Sequence, residues 1–171
     1  MLDRLVDLFI QFVHLFYFTV VLPEYEKGVH LRFGKFVRVL EPGLHFIIPF
    51  AVDEVMREAV VPTTHSLGDE ATVTKDGRTA AFHAVVTYQV RDIRKAMLDV
   101  NDTDHAVRDA CAGEIGKLMR ERTWEELQHS EALLDDLTAV CRKRGFRYGI
   151  EIMSVQLASL ALAKNIRIMQ R

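Results

Sequence analysis

Val73 to Asp92 reads VTKDGRTAAFHAVVTYQVRD, and its pattern sets the fold class. Asp76-Gly77 lies between two extended runs, and both positions tolerate positive φ, so the pair marks a hairpin. The returning strand is the clearest in the chain. Phe82, Ala84, Val86, Tyr88 and Val90 point to one side, and His83, Val85, Thr87, Gln89 and Arg91 to the other.

Downstream the period changes from strand to helix. Asp92 is placed to cap a short helix over Ile93 to Asp99, and Asn101 to Asp104 to cap a longer one reaching about Arg120. Val107, Cys111, Ile115 and Leu118 share the buried face of the second. Thr123-Trp124-Glu125-Glu126 fits a capping box. Ser130 suits the cap of the next helix, whose apolar stripe is Leu133, Leu134, Leu137, Val140 and Cys141, with Gly145 as its C-terminal glycine. A last strand runs from about Tyr148 to Leu157. Its phase slips between Ile152 and Val155, as a bulge would make it do. Ala158 to Arg171 is rich in Ala and Leu and reads as the start of another helix.

Upstream the chain reads as strands. Val29, Leu31 and Phe33 alternate with His30, Arg32 and Gly34, which predicts a half-buried strand. Glu41-Pro42-Gly43-Leu44 favours a turn, and a short strand over Leu44 to Ile48 ends at Pro49. Strands, then helices, then a strand define an α+β fold, a curved and mostly antiparallel sheet with helices packed on one side.

The most hydrophobic run is Leu5 to Leu22, LVDLFIQFVHLFYFTVVL. It lacks the basic flank and the cleavage site of a signal peptide. As a helix it spans roughly 27 Å against a hydrocarbon thickness of roughly 30 Å. Asp3, Asp7, Gln11 and His14 fall in one polar stripe on such a helix. Three arrangements satisfy that stripe: a helix lying in the membrane interface, an inserted helix paired with neighbouring subunits, or a soluble helix packed on the domain. Phe18 to Leu22 also suits the opening strand of the adjoining domain.

The chain has 171 residues and a net charge of -2. No nucleic-acid partner is implied, because such binding needs a strong positive field. Cys111 and Cys141 lie on predicted apolar faces and read as unbridged, inert thiols of a reducing compartment. The His residues show no metal-ligand spacing, and Ser66, Ser130, Ser154 and Ser159 lack a nucleophile-elbow context. Gly28 and Gly34 do not make a phosphate loop. The expectation is a non-enzyme with no cofactor and no metal.

The ordered set VVLPEYEKGVHLRFGKFVRVLEPGLHFIIPF (Val20 to Phe50), the hairpin of Val73 to Asp92, TWEEL (Thr123 to Leu127) and RYGIEIMSVQLASL (Arg147 to Leu160) resembles the SPFH domain of stomatins, prohibitins, flotillins and the bacterial HflK/HflC pair, nearest the stomatin and HflC branches. The resemblance implies a membrane-anchoring helix over 1–19 and an SPFH domain over 20–160. That domain would have a membrane-proximal part of about 20–70 and a distal part of 71–160, with a C-terminal helix starting at 161–171. It also implies self-assembly and a scaffold that organises membrane or regulates membrane protein complexes. The alternative is a small adaptor that docks a membrane protease or channel without a large ring. Either places the protein at a membrane with the domain on one aqueous face. Expected membrane contacts are Leu5, Leu8, Phe9, Phe12, Val13, Phe16, Phe46, Ile47, Ile48 and Phe50, with lipid headgroups met by Arg32, Lys35 and Arg38. The sequence departs from the family pattern at several places. The sequence stops at Arg171, short of the Ala/Glu-rich coiled coil that usually follows, as either a truncated chain or a minimal member of the family would, and the Pro usual around Leu160 to Ala163 is missing. Tyr148-Gly149 stands for a Trp-Gly pair, and Ala112-Gly113 lies where a Leu-Arg pair is usual.

Overall fold

The structure, a computed structural model, describes residues 19–48, 52–129 and 132–163. The helix expected over 1–19 (apart from Thr19, which begins a strand), the Ser130 cap, Phe50 and residues 164–171 lie outside these. The chain divides into two compact units, Met1–Val61 and Pro62–Arg171.

In the first unit, β1 (Thr19–Leu22) pairs antiparallel with β4 (Gly43–Phe46), and β2 (Glu26–Arg32) lies between β3 (Lys35–Leu40) and β5 (Asp53–Ala59). Leu22, Val29, Leu31 and Leu40 are buried. Gly28 allows the close approach. A Cβ there would stand 3.1 Å from both Leu22 Cδ1 and Val55 Cγ1.

In the second unit, β6 (Thr63–Val73), β7 (Thr79–Val90) and β8 (Ile150–Leu162) form an antiparallel sheet in the order β6-β7-β8. Between β7 and β8 come α1 (Ile93–Leu98), α2 (Thr103–Arg120), α3 (Trp124–His129), α4 (Leu133–Gly145) and a single 3-10 turn, Phe146–Tyr148. The alternation of β7 holds along its whole length: Phe82, Ala84, Val86 and Tyr88 enter a core with Val107, Cys111, Ile115, Leu137, Cys141 and Ile152. Each of the larger apolar side chains contributes about 1.5–3 kcal/mol when fully buried.

The local signals act as read. Asp92 Oδ1 accepts from Lys95 N, and Asp102 Oδ1 from His105 N. Thr123 and Glu126 close the capping box, with Thr123 N donating to Glu126 Oε2 at 2.8 Å and Glu126 N to Thr123 Oγ1 at 3.3 Å. The slip in β8 is real, since Thr87 faces Ser154 while Tyr88 faces Ile152, leaving Met153 extra.

Three expectations are corrected. Ala158–Leu162 is strand, not helix: Leu160, Ala161 and Leu162 pair with Phe82, Ala81 and Ala80. Pairing with the β7 edge outweighs the helix propensity of Ala and Leu, which tertiary context routinely overrides. The left-handed glycine after α4 is Gly149 (φ +74), not Gly145. Gly145 is small for another reason, since a Cβ there would meet Ile152 Cγ1 at 3.0 Å and the Ile150 carbonyl at 3.3 Å. Phe33 does not follow Leu31 into the core, and stands at a hairpin tip instead.

A candidate membrane-facing rim on the first unit

The pairing of β1 with β4 sorts side chains onto two faces. Val21 lies opposite Leu44, and Thr19 opposite Phe46. These share one face, because residues two apart on a strand do. Leu22 points the other way and is buried. The outward face is apolar and uncovered: Val21 is 64%, Leu44 58% and Phe46 71% exposed. Ile48, just beyond β4, is exposed too, whereas Ile47 is half-buried. Three large apolar residues on one small sheet face are not the scatter normal for a soluble surface.

A second apolar point is the tip of the β2–β3 hairpin. Arg32 pairs with Lys35, leaving Phe33-Gly34 as a two-residue turn. Both residues have positive φ, +50 and +72, the type I′ turn that suits strand twist. Asn or Gly normally takes the first position, and a bulky residue there is strained. Phe33 holds it with its ring 74% exposed. A strained position filled by an exposed aromatic is a hint of function.

Asp53 ties the hairpin to the loop that follows β4. Its buried carboxylate accepts from Arg32 Nε at 2.7 Å, from Arg32 Nη2 at 3.1 Å and from Ile48 N at 2.8 Å. Asp53 N donates to Ile48 O, and Phe33 N to Val52 O. His30, also buried, places Nε2 3.2 Å from Asp53 Oδ2 without hydrogen-bond alignment. The Arg32 guanidinium holds the Asp53 carboxyl well below the usual carboxylate range. Burial opposes this, and the Ile48 N–H and His30 add to it. Asp53 in turn raises Arg32.

Of the residues expected at a membrane, the structure therefore exposes Phe46 and Ile48 and half-buries Ile47. Leu5, Leu8, Phe9, Phe12, Val13, Phe16 and Phe50 lie outside the described residues. Lys35 and Arg38 stand exposed on β3, whereas the Arg32 guanidinium is occupied by Asp53. Phe33, Val21 and Leu44 were missed by the sequence reading. The signal for Phe33 was available: a Phe-Gly pair between two runs of strand is a two-residue turn.

Among the described residues no group of three or more His, Cys, Asp or Glu could hold a metal ion, and no helix is long and apolar enough to cross a membrane. Cys111 and Cys141 are free and buried, with Cys141 Sγ 3.9 Å from the Cys111 carbonyl. One polar constellation was not foreseen from the sequence. Ser66, His83 and Asp69 are brought together on β6 and β7.

The fold is a mixed α+β domain whose first unit carries an exposed apolar sheet face. The profile of the SPFH domain / Band 7 family matches residues 20–170, and the chain belongs to that family. It is similar to an uncharacterized protein of Archaeoglobus fulgidus, with 28% identity over 148 residues, covering 86% of this chain and 59% of that protein. It is also similar to stomatin-like protein stl-1 of Caenorhabditis elegans, at 26% over 85% of this chain and 45% of that one. Human mitochondrial stomatin-like protein 2 matches at 31% over 69% of this chain and 35% of that one. The chain thus spans less than two thirds of the length of these relatives. Proteins of the family are membrane-associated and oligomerise, and are generally non-enzymatic scaffolds.

Proposed function

We propose that this chain is a membrane-associated, self-assembling scaffold that organises membrane or regulates membrane protein complexes, and that its first unit meets the bilayer through the apolar rim. The observation that carries this reading is the uncovered face of Val21, Leu44 and Phe46, together with Phe33 at its strained tip. Aromatic and aliphatic side chains of this kind suit the boundary between headgroups and acyl chains. Lys35 and Arg38 supply cations for anionic headgroups, and Arg32 supplies rigidity through Asp53.

The test places an environment-sensitive fluorophore at Phe33→Cys, at Phe46→Cys and, as a control on the second unit, at Lys143→Cys. The native thiols are buried. With phosphatidylcholine vesicles, with or without phosphatidylserine, emission at 33 and 46 shifts to the blue and emission at 143 does not. Vesicle-bound protein that keeps positions 33 and 46 in water overturns the rim. Sedimentation of detergent-solubilised protein tests assembly. A ring of many subunits supports the scaffold, and a monomer or dimer replaces it with an adaptor that docks a membrane protease or channel.

A further inference from the structure

A bulge in β6 builds a Ser–His–Asp arrangement that no scaffold role requires. Ser66 faces Val85 and Asp69 faces His83, so Leu67 and Gly68 together oppose Ala84. In a regular strand residues 66 and 69 would point to opposite faces. The extra residue turns both toward His83, on the sheet face away from the core. Gly68 supplies the conformation with φ +86, and the buried Leu67 anchors the bulge. Bulges that re-aim side chains are frequent beside active sites.

The hydrogen bonds run in one direction. Gly68 N can only donate, and it donates to Ser66 Oγ at 3.1 Å. Ser66 Oγ is then free to donate its own hydrogen to His83 Nε2, 3.0 Å away. That makes Nε2 an acceptor and leaves the imidazole hydrogen on Nδ1, which lies 2.8 Å from Asp69 Oδ1. A neutral histidine with Nε2 free to take a proton from the hydroxyl and Nδ1 held by a carboxylate is the arrangement that activates a serine.

We propose that Ser66 is an acyl-accepting nucleophile, with His83 as its general base and Asp69 orienting His83. The site lies open on the sheet surface, with Asp69 almost fully exposed, so it suits small, unhindered carboxylic esters rather than a buried or long substrate. Ser66 Oγ forms a bond to the acyl carbon as its proton passes to His83 Nε2. The ester C–O bond breaks, and His83 returns the proton to the departing alkoxide. The products are an alcohol and O-acyl-Ser66. Water, deprotonated by the same histidine, then releases the acid and restores the serine.

The test uses the full chain with a fluorophosphonate probe, followed by intact-mass and peptide mapping, and with p-nitrophenyl acetate. A single adduct is expected on Ser66. His83→Gln slows adduct formation about 100-fold, as removal of a general base does. Asp69→Asn slows it roughly 10-fold or more, by loss of the oriented tautomer. Ser66→Ala abolishes both adduct and esterase signal. Labelling spread over several serines, or a Ser66 rate unchanged in His83→Gln, overturns the proposal. Circular dichroism of each variant separates loss of fold from loss of reactivity. Asp69→Glu, which keeps a carboxylate, is expected to restore part of the rate, and an Asp69→Glu rate no higher than that of Asp69→Asn refutes the orienting role.

Discussion

At Asp53 one carboxylate holds together parts of the first unit that the chain order separates. Its folded-state pKa lies below its unfolded value of about 3.9. Its stabilising effect is therefore fully present above that value and is lost as pH falls through the folded pKa. Asp53→Asn is expected to lower the melting temperature at pH 7 and to flatten its decline in acid, as read by thermal melts from pH 7 down to pH 2. Phe33 makes the opposite prediction. Its ring is exposed and its backbone strained, so Phe33→Asn is expected to raise stability by about 1 kcal/mol in urea titrations. Neither role was fully legible in the sequence. Arg32 and Lys35 read alike as surface cations. Only the pairing of β2 with β5 brings Asp53 beside Arg32 and leaves Lys35 in water. Ser66, Asp69 and His83 were unreadable for a related reason, since the bulge that unites them depends on strand register.

Elements governed by short-range signals were legible. The Asp76-Gly77 hairpin, the caps of α1 and α2 and the Thr123–Glu126 box each depend on residues within a few positions. Elements governed by distant partners were not. Ala158–Leu162 is a strand because β7 offers it an edge. Gly145 and Gly149 differ in backbone, φ -57 against +74, and in what surrounds them. Gly149 is the sharper case. A Cβ there would run into the Asp92 carbonyl, and its own carbonyl accepts from both Arg91 N and Asp92 N. Gly149→Ala combines positive φ with a backbone clash. It is expected to destabilise the second unit by about 2–4 kcal/mol. The fluorescence of Trp124, the only tryptophan, reports that unfolding.

For the molecule as a whole, the α+β class and the family were legible because the order of motifs survives without any one contact. The resemblance implied two parts meeting near residue 70, whereas the units divide after Val61, and the apolar rim became visible only in three dimensions. The core of the second unit supplies a further prediction. Cys111 and Cys141 are buried, and hydrogen bonding to Cys111, with burial next, pushes the Cys141 thiol up. Aromatic disulfide reagents are therefore expected to modify neither thiol at native pH and both in denaturant. In native buffer the rate would follow opening of the second unit, and rapid native modification would contradict the packing of α2 on α4.

The position of β8 also bears on how the protein is made. It is the last described strand, and its partner β7 precedes the four described helices. Pairings between distant segments close slowly. During synthesis the apolar flanks of β7, α2 and α4 emerge before the strand that completes their sheet. Until Leu162 has left the ribosome the nascent second unit presents an open edge beside unburied side chains, the state in which chains associate wrongly. Chaperone capture should accordingly peak on ribosome-bound chains in which α4 has emerged and β8 has not, and fall once that last segment is free to pair.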